Sequence, residues 1–423
     1  MKHIEVLWIT NIMLPSLAKH LGLPSPVVGG WMSGLAENLI KKGVNLTVAT
    51  CGKEEFYLSN IEGINFLSIE HSGEGHFYDS KLEEKWLILT EKYNIKPDIT
   101  HIHGTEFTFG LAYINSFPKN KSVVSIQGII HVYSNYYYGG ISLNTILRNI
   151  TLRDILKFDT LIQGKRKFIK RGETEIEYFK KVENFIGRTD WDKSHSLSMN
   201  PKAKYYHCDE ILRRNFFISK KWNLEDANNE SIFLSQAAYP IKGLHQVLEA
   251  IGKLKNSYKN VQIRIAGPDI LKSCSKFSNL KISNYGKIIK KLIIKYELEP
   301  NIRFLGYLTE EQIINEFLKA RIFICPSSIE NSPNSLGEAQ ILGVPTISAY
   351  VGGIPQMVSH RKNGMLYQFE ETTLLKMYIN ELFQNDNLCR EISENAIKSA
   401  EKRHNSDTNV SQTLSIYKKI ISE

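Results

Sequence analysis

The sequence predicts an α/β protein with two doubly wound, Rossmann-like domains that face each other across a cleft. Three observations support this fold class. The chain has 423 residues, enough for two domains with sizeable cores. Short apolar runs alternate with stretches of helical periodicity in both halves, as in β-α-β units. Residues 322–367 contain a complete strand, loop, helix and second strand, with polar residues in the loop.

Composition argues against several other classes of protein. Hydrophobic residues make up 42% of the chain and charged residues 23%, which is typical of a globular protein. No apolar run approaches the roughly 20 residues that span a bilayer. The start MKHIEVLWIT is typical of a first strand rather than a signal peptide, so we expect a cytoplasmic protein. The five cysteines lack paired spacing, which predicts neither disulfides nor a zinc site.

The net charge of +9 favours an anionic partner, such as nucleic acid, a membrane surface or a phosphorylated substrate. Basic residues are most concentrated at 148–171, where apolar residues lie between them. This stretch is a candidate for peripheral contact with an anionic membrane surface at the inner face of the cell membrane. A solvated helical face above a core stripe explains it about equally well. Nucleic acid is not an expected partner, since no nucleic-acid module is recognisable.

The first β-α-β unit consists of an apolar run at Glu5–Thr10, a helical stripe at Trp31–Lys42 and a second run at Val44–Ala49. Gly29 and Gly30 directly precede the helix, where a glycine pair lets the backbone approach a ligand. A purely structural turn is an equally good explanation. The Gly-x-Gly-x-x-Gly fingerprint is missing, which argues against nicotinamide binding.

Two later strands of the first half end in polar loops, which makes His103, Glu106 and Gln127 candidates to contact a ligand at the cleft. A lone histidine at a strand end is more often structural, and a glutamine cannot act as a base. Tyr136 belongs to the aromatic cluster 131–138, which could stack on a sugar ring. Core or lid packing is the more common explanation for clustered tyrosines.

Arg188 ends the strand-like run 182–187 and should also face the cleft. Asp190 and Asp192 follow it in an Asp-x-Asp triplet, which can hold a divalent metal. Capping of the next helix by Thr189 or Asp190 is the simpler explanation. We therefore expect no metal.

A new series of strands opens at Ser231–Leu234, which places the domain boundary near 213–222. The predicted domains are 1–215 and 216–404, followed by a last helix at 405–423. Lys242 lies just before a helix with an apolar stripe, where it could meet a diphosphate as a point charge.

The stretch 322–367 is the most informative. The run Ile322–Cys325 predicts a buried strand, and Leu336–Leu342, followed by a glycine, predicts a short helix. Glu330 lies in the loop between them and Glu338 in the helix. Ligands of open α/β sheets bind outside the carboxyl ends of strands, where a helix N-terminus attracts anions. The two carboxylates can thus approach one ligand, although an isolated pair of glutamates is more often solvated.

This stretch resembles the signature of the retaining glycosyltransferases of family 4 (group 1), which have the GT-B architecture. The resemblance rests on an ordered set of motifs: Glu330-x7-Glu338, Gly343-Val344-Pro345, Gly352-Gly353 and Asn363-Gly364. The sequence from 186 to 213 also resembles a subset of the family found in bacterial surface-polysaccharide pathways. One motif position departs from the family, because Gln356 stands where a glutamate is frequent.

The resemblance implies that the second domain binds most of a nucleotide-diphosphate sugar. Glu338 would hold the ribose, Glu330 the donor sugar and Lys242 the diphosphate. The implied catalytic residues are Glu330 and Lys242, and the implied donor-binding residues are Glu338, Asn334, Ser335, Leu336, Gly306, Tyr307, Gly30 and Arg188. Arg188 enters this set as a replacement for an arginine of the family, whose position holds Gln236-Ala237 here.

On the acceptor side, the implied residues are Gly29, His103, Glu106, Gln127 and Tyr136. The family commonly has a histidine near the reacting carbon where this chain has Gln127. In GT-B proteins the last helix, here 405–423, often packs back on the first domain.

The predicted function is transfer of a sugar, with retention, from a nucleotide-diphosphate sugar to a glycan or lipid-linked acceptor in polysaccharide biosynthesis. We expect no cofactor. Retention could use a covalent intermediate or same-face attack guided by the leaving phosphate. We favour same-face attack, because no carboxylate of the first domain stands out as a nucleophile. Glu106 is the best candidate. The alternatives are a phosphorylase or sugar-phosphate synthase on the same fold, or a non-catalytic nucleotide-sugar-binding protein.

Overall fold

A computed structural model describes residues 3–24, 29–73, 75–271 and 282–423. The chain divides into two compact units. The first unit consists of residues 1–132, 169–213 and 403–423, and the second consists of residues 133–168 and 214–402. Cys274 lies outside the described residues, and the four other cysteines form no disulfide.

The strands of the described part, in chain order, are β1 (Ile4–Ile9), β2 (Val44–Gly52), β3 (Phe56–Ile61), β4 (Ile64–Glu70), β5 (Ile99–His103), β6 (Ser122–Ser125), β7 (Asn184–Gly187), β8 (Lys204–His207), β9 (Asn228–Leu234), β10 (Gln262–Ile265), β11 (Ile302–Phe304), β12 (Ala320–Cys325), β13 (Thr346–Ala349) and β14 (Met365–Tyr367).

The α-helices of the described part are α1 (Pro15–His20), α2 (Gly30–Lys41), α3 (Lys81–Lys92), α4 (Phe109–Ser116), α5 (Ile130–Tyr133), α6 (Leu143–Arg148), α7 (Leu152–Leu156), α8 (Leu161–Lys181), α9 (Asp190–Met199), α10 (Arg214–Ile218), α11 (Leu244–Gly252), α12 (Asn284–Lys295), α13 (Glu310–Lys319), α14 (Asn334–Leu342), α15 (Ile354–Met357), α16 (Thr372–Gln384), α17 (Asp386–Arg403) and α18 (Ser406–Ser422). None of these helices is both long enough and apolar enough to cross a membrane.

The first unit has an eight-stranded sheet in the order β3-β4-β2-β1-β5-β6-β7-β8. Its pairs are parallel except β3 with β4, which form an antiparallel hairpin. Leu7 and Ile9 of β1 belong to one buried cluster and Val6 and Trp8 to another. Alternate residues of a strand point to opposite faces, so both faces of this sheet are covered, as expected for a parallel sheet.

The last helix, α18, lies in the first unit. The hydroxyl of Tyr417 accepts a hydrogen bond from Trp8 Nε1 at 3.1 Å and contacts His101 Nδ1 at 2.6 Å. These contacts are buried in the core beneath β1 and β5.

The second unit has a six-stranded, fully parallel sheet in the order β11-β10-β9-β12-β13-β14. The strand order reverses between β9 and β12, which are neighbours in the sheet but not in the chain. This is the doubly wound arrangement, in which ligands generally bind at the carboxyl ends of the strands where the order reverses. The predicted α/β fold class with two parallel-sheet domains is confirmed.

Most predicted elements are present with shifted ends. The helix α14 begins at Asn334, two residues before the predicted start, and β12 begins at Ala320. The predicted contiguous domain 1–215 needs correction, because residues 133–168 group with the second unit. Contacts far apart in sequence hold them there. For example, Asn284 Nδ2 donates to the carbonyl of Ile146 at 2.9 Å.

Candidate functional site

The loops after β9 and β12 are joined by their backbones at the point where the strand order reverses. The amide of Ser328 donates to the carbonyl of Ile241 at 2.7 Å. Gly243 ends the first loop with φ +70°, and a Cβ atom there would lie 1.8 Å from the carbonyl oxygen of Pro326. Only glycine accommodates both this conformation and this approach. Lys242 is thereby held beside the loop that carries Glu330.

Lys242 and Glu330 form an ion pair at this point, with 2.5 Å between Nζ and Oε1. Their side chains are 19% and 11% exposed, respectively. Ser327 Oγ donates to the same carboxylate oxygen at 2.7 Å. Burial alone would lower the pKa of Lys242, but the negative charge of Glu330 outweighs it and raises the pKa above its usual value. The two residues predicted to be catalytic therefore meet, with lysine charged and glutamate as its acceptor.

The Gly-Gly loop after β13 holds the backbone of Glu330. Gly353 N donates to the carbonyl of Glu330 at 3.0 Å. Gly352 has φ +51°, and a Cβ there would come within 1.8 Å of the same oxygen. Any side chain at 352 would push Glu330 away from Lys242. The glycine pair thus has a steric role that the sequence pattern alone did not indicate.

The helix α14 begins next to this ion pair. Its N-cap residue is Pro333, whose side chain cannot accept a hydrogen bond from the first turn. Asn334 and Ser335 are partly exposed there, while Leu336 is buried. First-turn amides of a helix are suited to an anion. Glu338 lies one turn further along and is buried.

Gly306 and Tyr307, which are among the predicted donor-binding residues, follow the edge strand β11. The carbonyl of Gly306 accepts from Gly267 N at 2.8 Å, which ties together the loops after β10 and β11. Gly306 has φ +75° with nothing within 4 Å of an added Cβ, and Tyr307 is 74% exposed. Both residues lie at the carboxyl edge of the sheet that carries Lys242 and Glu330.

Tyr136 requires a correction, because it was predicted on the acceptor side of the first domain and lies in the second unit. Its carbonyl accepts from Ser328 Oγ at 3.2 Å. Nearby, His245 Nε2 lies 2.8 Å from the carbonyl of Gly139. Burial lowers the pKa of His245 to about 4. The ring is therefore neutral, and Nε2 donates to the carbonyl while Nδ1 accepts from Tyr285. The segment thus supports the loops of the ion pair.

Arg188 and Gln127 meet in the first unit. Arg188 NH2 lies 3.4 Å from Gln127 Oε1 and also donates to the carbonyl of Ile126. Its guanidinium forms an ion pair with Glu210, in the loop after β8, and both side chains are buried. Sequence reasoning missed Glu210, although its place after a strand end was a signal. The replacement of the family's arginine by Arg188 stays a prediction.

His103 lines a cavity of about 30 Å³ with Trp31, Arg188 and Glu210. Burial holds the pKa of His103 well below its usual value, so the ring is neutral. Neither ring nitrogen has a hydrogen-bond partner among the described residues. A cavity of this size has room for a water-sized group.

Glu106 and Glu175 are neighbouring carboxylates of the first unit. Glu106 Oε1 accepts from Gly128 N at 2.8 Å. Glu175, on α8, accepts from Thr105 Oγ1 at 2.6 Å and His131 N at 2.7 Å. Burial, with a contribution from the charge of Glu106, raises the pKa of Glu175 to about 7. Burial also raises the pKa of Glu106. Sequence reasoning missed Glu175, since a glutamate in a long charged helix carries no signal of burial.

The remaining first-unit candidates have structural explanations. Gly29, with φ +83°, is the N-cap of α2, and a Cβ on Gly30 would lie 2.6 Å from Cδ of Arg213. Thr189 caps α9 in a capping box with Asp192, which accounts for the Asp-x-Asp triplet. The described residues contain no cluster of three or more histidine, cysteine or carboxylate side chains that could hold a metal.

Comparison with known proteins supports the resemblance to group 1 glycosyltransferases. Residues 215–399 match the family model described as "Glycosyl transferases group 1", and these residues include the whole Lys242–Glu330 site. This part of the chain is similar to the group 1 glycosyltransferases. The chain is 21% identical over 409 residues to an uncharacterized glycosyltransferase of Methanocaldococcus jannaschii, covering 93% of this chain and 95% of that protein. It is also 27% identical over 153 residues to the amylovoran biosynthesis glycosyltransferase AmsK of Erwinia amylovora, covering 34% and 38%.

Solved structures show that the chain has the GT-B fold. Sucrose-phosphate synthase of Thermosynechococcus elongatus matches with a TM-score of 0.71 and 14% identity, over 99% of this chain and 100% of that one. HepE of Anabaena in complex with UDP and glucose matches with a TM-score of 0.67 and 14% identity, over the same shares of the two chains. The resemblance to group 1 glycosyltransferases and the predicted GT-B fold are thereby confirmed.

Proposed function

We propose that this group 1 glycosyltransferase moves a sugar, with retention, from a nucleotide-diphosphate sugar to a glycan or lipid-linked acceptor. The observation that carries the proposal is the Lys242–Glu330 ion pair at the switch point between β9 and β12, beside the N-terminus of α14. A charged lysine and the N-terminus of a helix suit a diphosphate, and a carboxylate suits sugar hydroxyls.

In the proposed donor complex, Lys242 turns from Glu330 to the diphosphate. Its charge and the amides of Asn334 to Leu336 then stabilise the negative charge that builds on the leaving group. Glu330, still held by Ser327 and by the Gly-Gly loop, accepts hydrogen bonds from hydroxyls of the donor sugar. Glu338 anchors the ribose. These residues supply cations, amides and acceptors, and no step of the proposal requires a metal.

We propose same-face attack rather than a covalent intermediate. The best first-unit nucleophile, Glu106, has a raised pKa because it is buried, and its Oε1 already accepts from Gly128 N. A nucleophilic carboxylate must be ionised and accessible, and burial opposes both requirements. Direct attack by the acceptor, guided by the leaving phosphate, needs no protein nucleophile.

The acceptor class and the setting are proposed from the relatives. AmsK is named as an amylovoran biosynthesis enzyme, which supports a role in polysaccharide biosynthesis for this chain. HepE was solved with UDP and glucose, which makes UDP-sugars the first donors to test. We propose that the enzyme works in the cytoplasm, at the inner face of the membrane where lipid-linked acceptors are presented.

Replacement of Glu338 by alanine tests the donor assignment. Loss of charged hydrogen bonds to ribose should weaken nucleotide binding by about 1–3 kcal/mol, measured by calorimetry with UDP and GDP. Glu394→Ala is the matched control, because it removes an exposed glutamate from α17 in the same unit. Unchanged nucleotide affinity in Glu338→Ala would refute the assignment. A screen of UDP-, GDP- and ADP-sugars for hydrolysis then identifies the donor.

A further inference from the structure

An outward-facing apolar surface is formed by α6, α7 and Phe158, which follows α7. Within residues 143–158, six large apolar side chains are each exposed by 55% or more: Leu143, Leu147, Leu152, Ile155, Leu156 and Phe158. We call these six the α6–α7 face. Leu143 and Leu147 are four apart, as are Leu152 and Leu156, so each helix places its pair on one side. Helices of globular proteins normally turn such a side to the core.

The structure of α7 is held by polar contacts and does not depend on burial of this face. Thr151 and Asp154 form a capping box at its start, and both are buried. At its end the amide of Asp159 donates to the carbonyl of Asp154 at 2.9 Å, which closes a Schellman-type turn. The exposed leucines are therefore presented on a fixed scaffold.

Phe158 occupies a position that favours glycine. It follows the C-cap of α7 with φ +50°, which is an unfavourable conformation for a bulky side chain. Its ring is nonetheless 72% exposed, so no core contact within the described residues compensates the strain. Strained backbone that persists without a packing reason points to function. At this turn the ring is directed away from the unit's core.

The surroundings of the face are basic. The acidic side chains of the segment, Asp154 and Asp159, both pair with Arg153, at 3.0 and 3.3 Å. Arg148 and Lys157 are exposed beside the apolar residues. No ion pair involves either of them within the described residues.

The helix α12 adds to this charge, since α6 packs against it. Lys287 Nζ lies 3.5 Å from the carbonyl of Ile150, and Asn284 holds the carbonyl of Ile146. Along its exposed side α12 carries Lys290, Lys291 and Lys295 around an exposed isoleucine, and its twelve residues include no acidic one. An apolar face bordered by lysine and arginine on two adjoining elements is complementary to anionic lipid headgroups with acyl chains beneath them.

We propose that the α6–α7 face docks the second unit on an anionic lipid surface, with Phe158 and its neighbouring leucines entering the acyl boundary and the lysines of α12 meeting headgroups. The proposal rests on the proposed function in that a lipid-linked acceptor is presented at such a surface. A purely electrostatic partner, such as an acidic polymer, would use the lysines but would leave six apolar side chains without a role. Lipid accounts for both.

Vesicle sedimentation tests the proposal with the full chain. The wild type should bind vesicles of phosphatidylcholine with phosphatidylglycerol, bind phosphatidylcholine alone far less, and be weakened by salt. The double variant Leu156→Ser/Phe158→Gly should bind the anionic vesicles at least tenfold more weakly, since each apolar side chain contributes roughly tenfold. Its melting temperature should not fall, because glycine relieves the strain at position 158.

The matched control is Leu87→Ser/Ile88→Ser, which removes two similarly exposed apolar side chains from α3 and should bind as the wild type does. Equal binding by the wild type and Leu156→Ser/Phe158→Gly, or binding of the wild type to neither vesicle, overturns the proposal. A third outcome is that the protein binds no vesicles but is retained on heparin, equally with and without the apolar substitutions. That result would assign the lysines to an acidic polymer instead. UDP calorimetry on the same proteins separates the two proposals, since failed nucleotide binding refutes the donor site and leaves the vesicle result standing.

Discussion

The Lys242–Glu330 ion pair makes the sharpest test of the donor site, through a double-mutant cycle of Lys242→Met, Glu330→Gln and the two together. The pair is mostly buried, and Ser327 also donates to the carboxylate. Removing the lysine leaves a carboxylate that is poorly solvated and has one remaining hydrogen-bond donor, Ser327. Removing the charge of the glutamate leaves a glutamine that still accepts from both neighbours.

The expected costs follow from this asymmetry. Breaking a fully buried pair costs about 3–5 kcal/mol, but these side chains are 19% and 11% exposed and keep the Ser327 contact. We therefore expect Lys242→Met to lower the free energy of opening of the second unit by about 2 kcal/mol and Glu330→Gln by about 1 kcal/mol. The double variant leaves no unpaired charge and should cost about 1 kcal/mol, a coupling of about 2 kcal/mol.

Native-state hydrogen exchange of peptides from β12 and its loop measures this free energy locally, which matters because the chain has two units and need not unfold in one step. A loss of about 2 kcal/mol corresponds to roughly thirtyfold faster exchange. Additive effects of the two substitutions, with a coupling below about 0.5 kcal/mol, would show that the ion pair does not form in solution.

Two further predictions concern the first unit. Burial raises the folded-state pKa of Glu175 to about 7, above its usual value near 4.5, so the folded state binds the proton more tightly and loses stability as pH rises between these values. The free energy of unfolding of Glu175→Gln, measured relative to the wild type, should therefore rise by up to about 3 kcal/mol between about pH 5 and about pH 8. A difference in urea unfolding that does not change with pH would contradict the raised pKa. Glu106→Gln should keep appreciable turnover, and complete loss of transfer with intact donor binding would instead favour a covalent intermediate.

The donor half was predictable from sequence because its signals are local. The apolar run of β12, the helical stripe of α14 and the stop at Gly343 occur in order within a few turns, and each reflects a backbone preference of nearby residues. Glu330 and Glu338 follow from their position between these elements. The family model matches residues 215–399, which include these elements.

The residues expected in the first domain were less predictable because their environments depend on distant partners. Glu175 contacts the backbone of His131, 44 positions away, and Tyr136 contacts Ser328, 192 positions away. Periodicity identifies the apolar side of a helix but not which neighbour covers it. Residues 133–138 of the aromatic cluster were therefore assigned to the first domain although they group with the second unit, and the burial of Glu175 was missed.

The sequence by itself determined the α/β class, the two parallel sheets, the family and the two glutamates of the donor motif, because strand and helix periods and glycine stops act over short spans. Only the tertiary structure decided that Lys242 and Glu330, 88 positions apart, form an ion pair. It also decided that residues 133–168 join the second unit and turn the α6–α7 face outward. The ion pair depends on loops that approach each other closely enough to require Gly243 and Gly352, and such approaches exist only once the chain has folded.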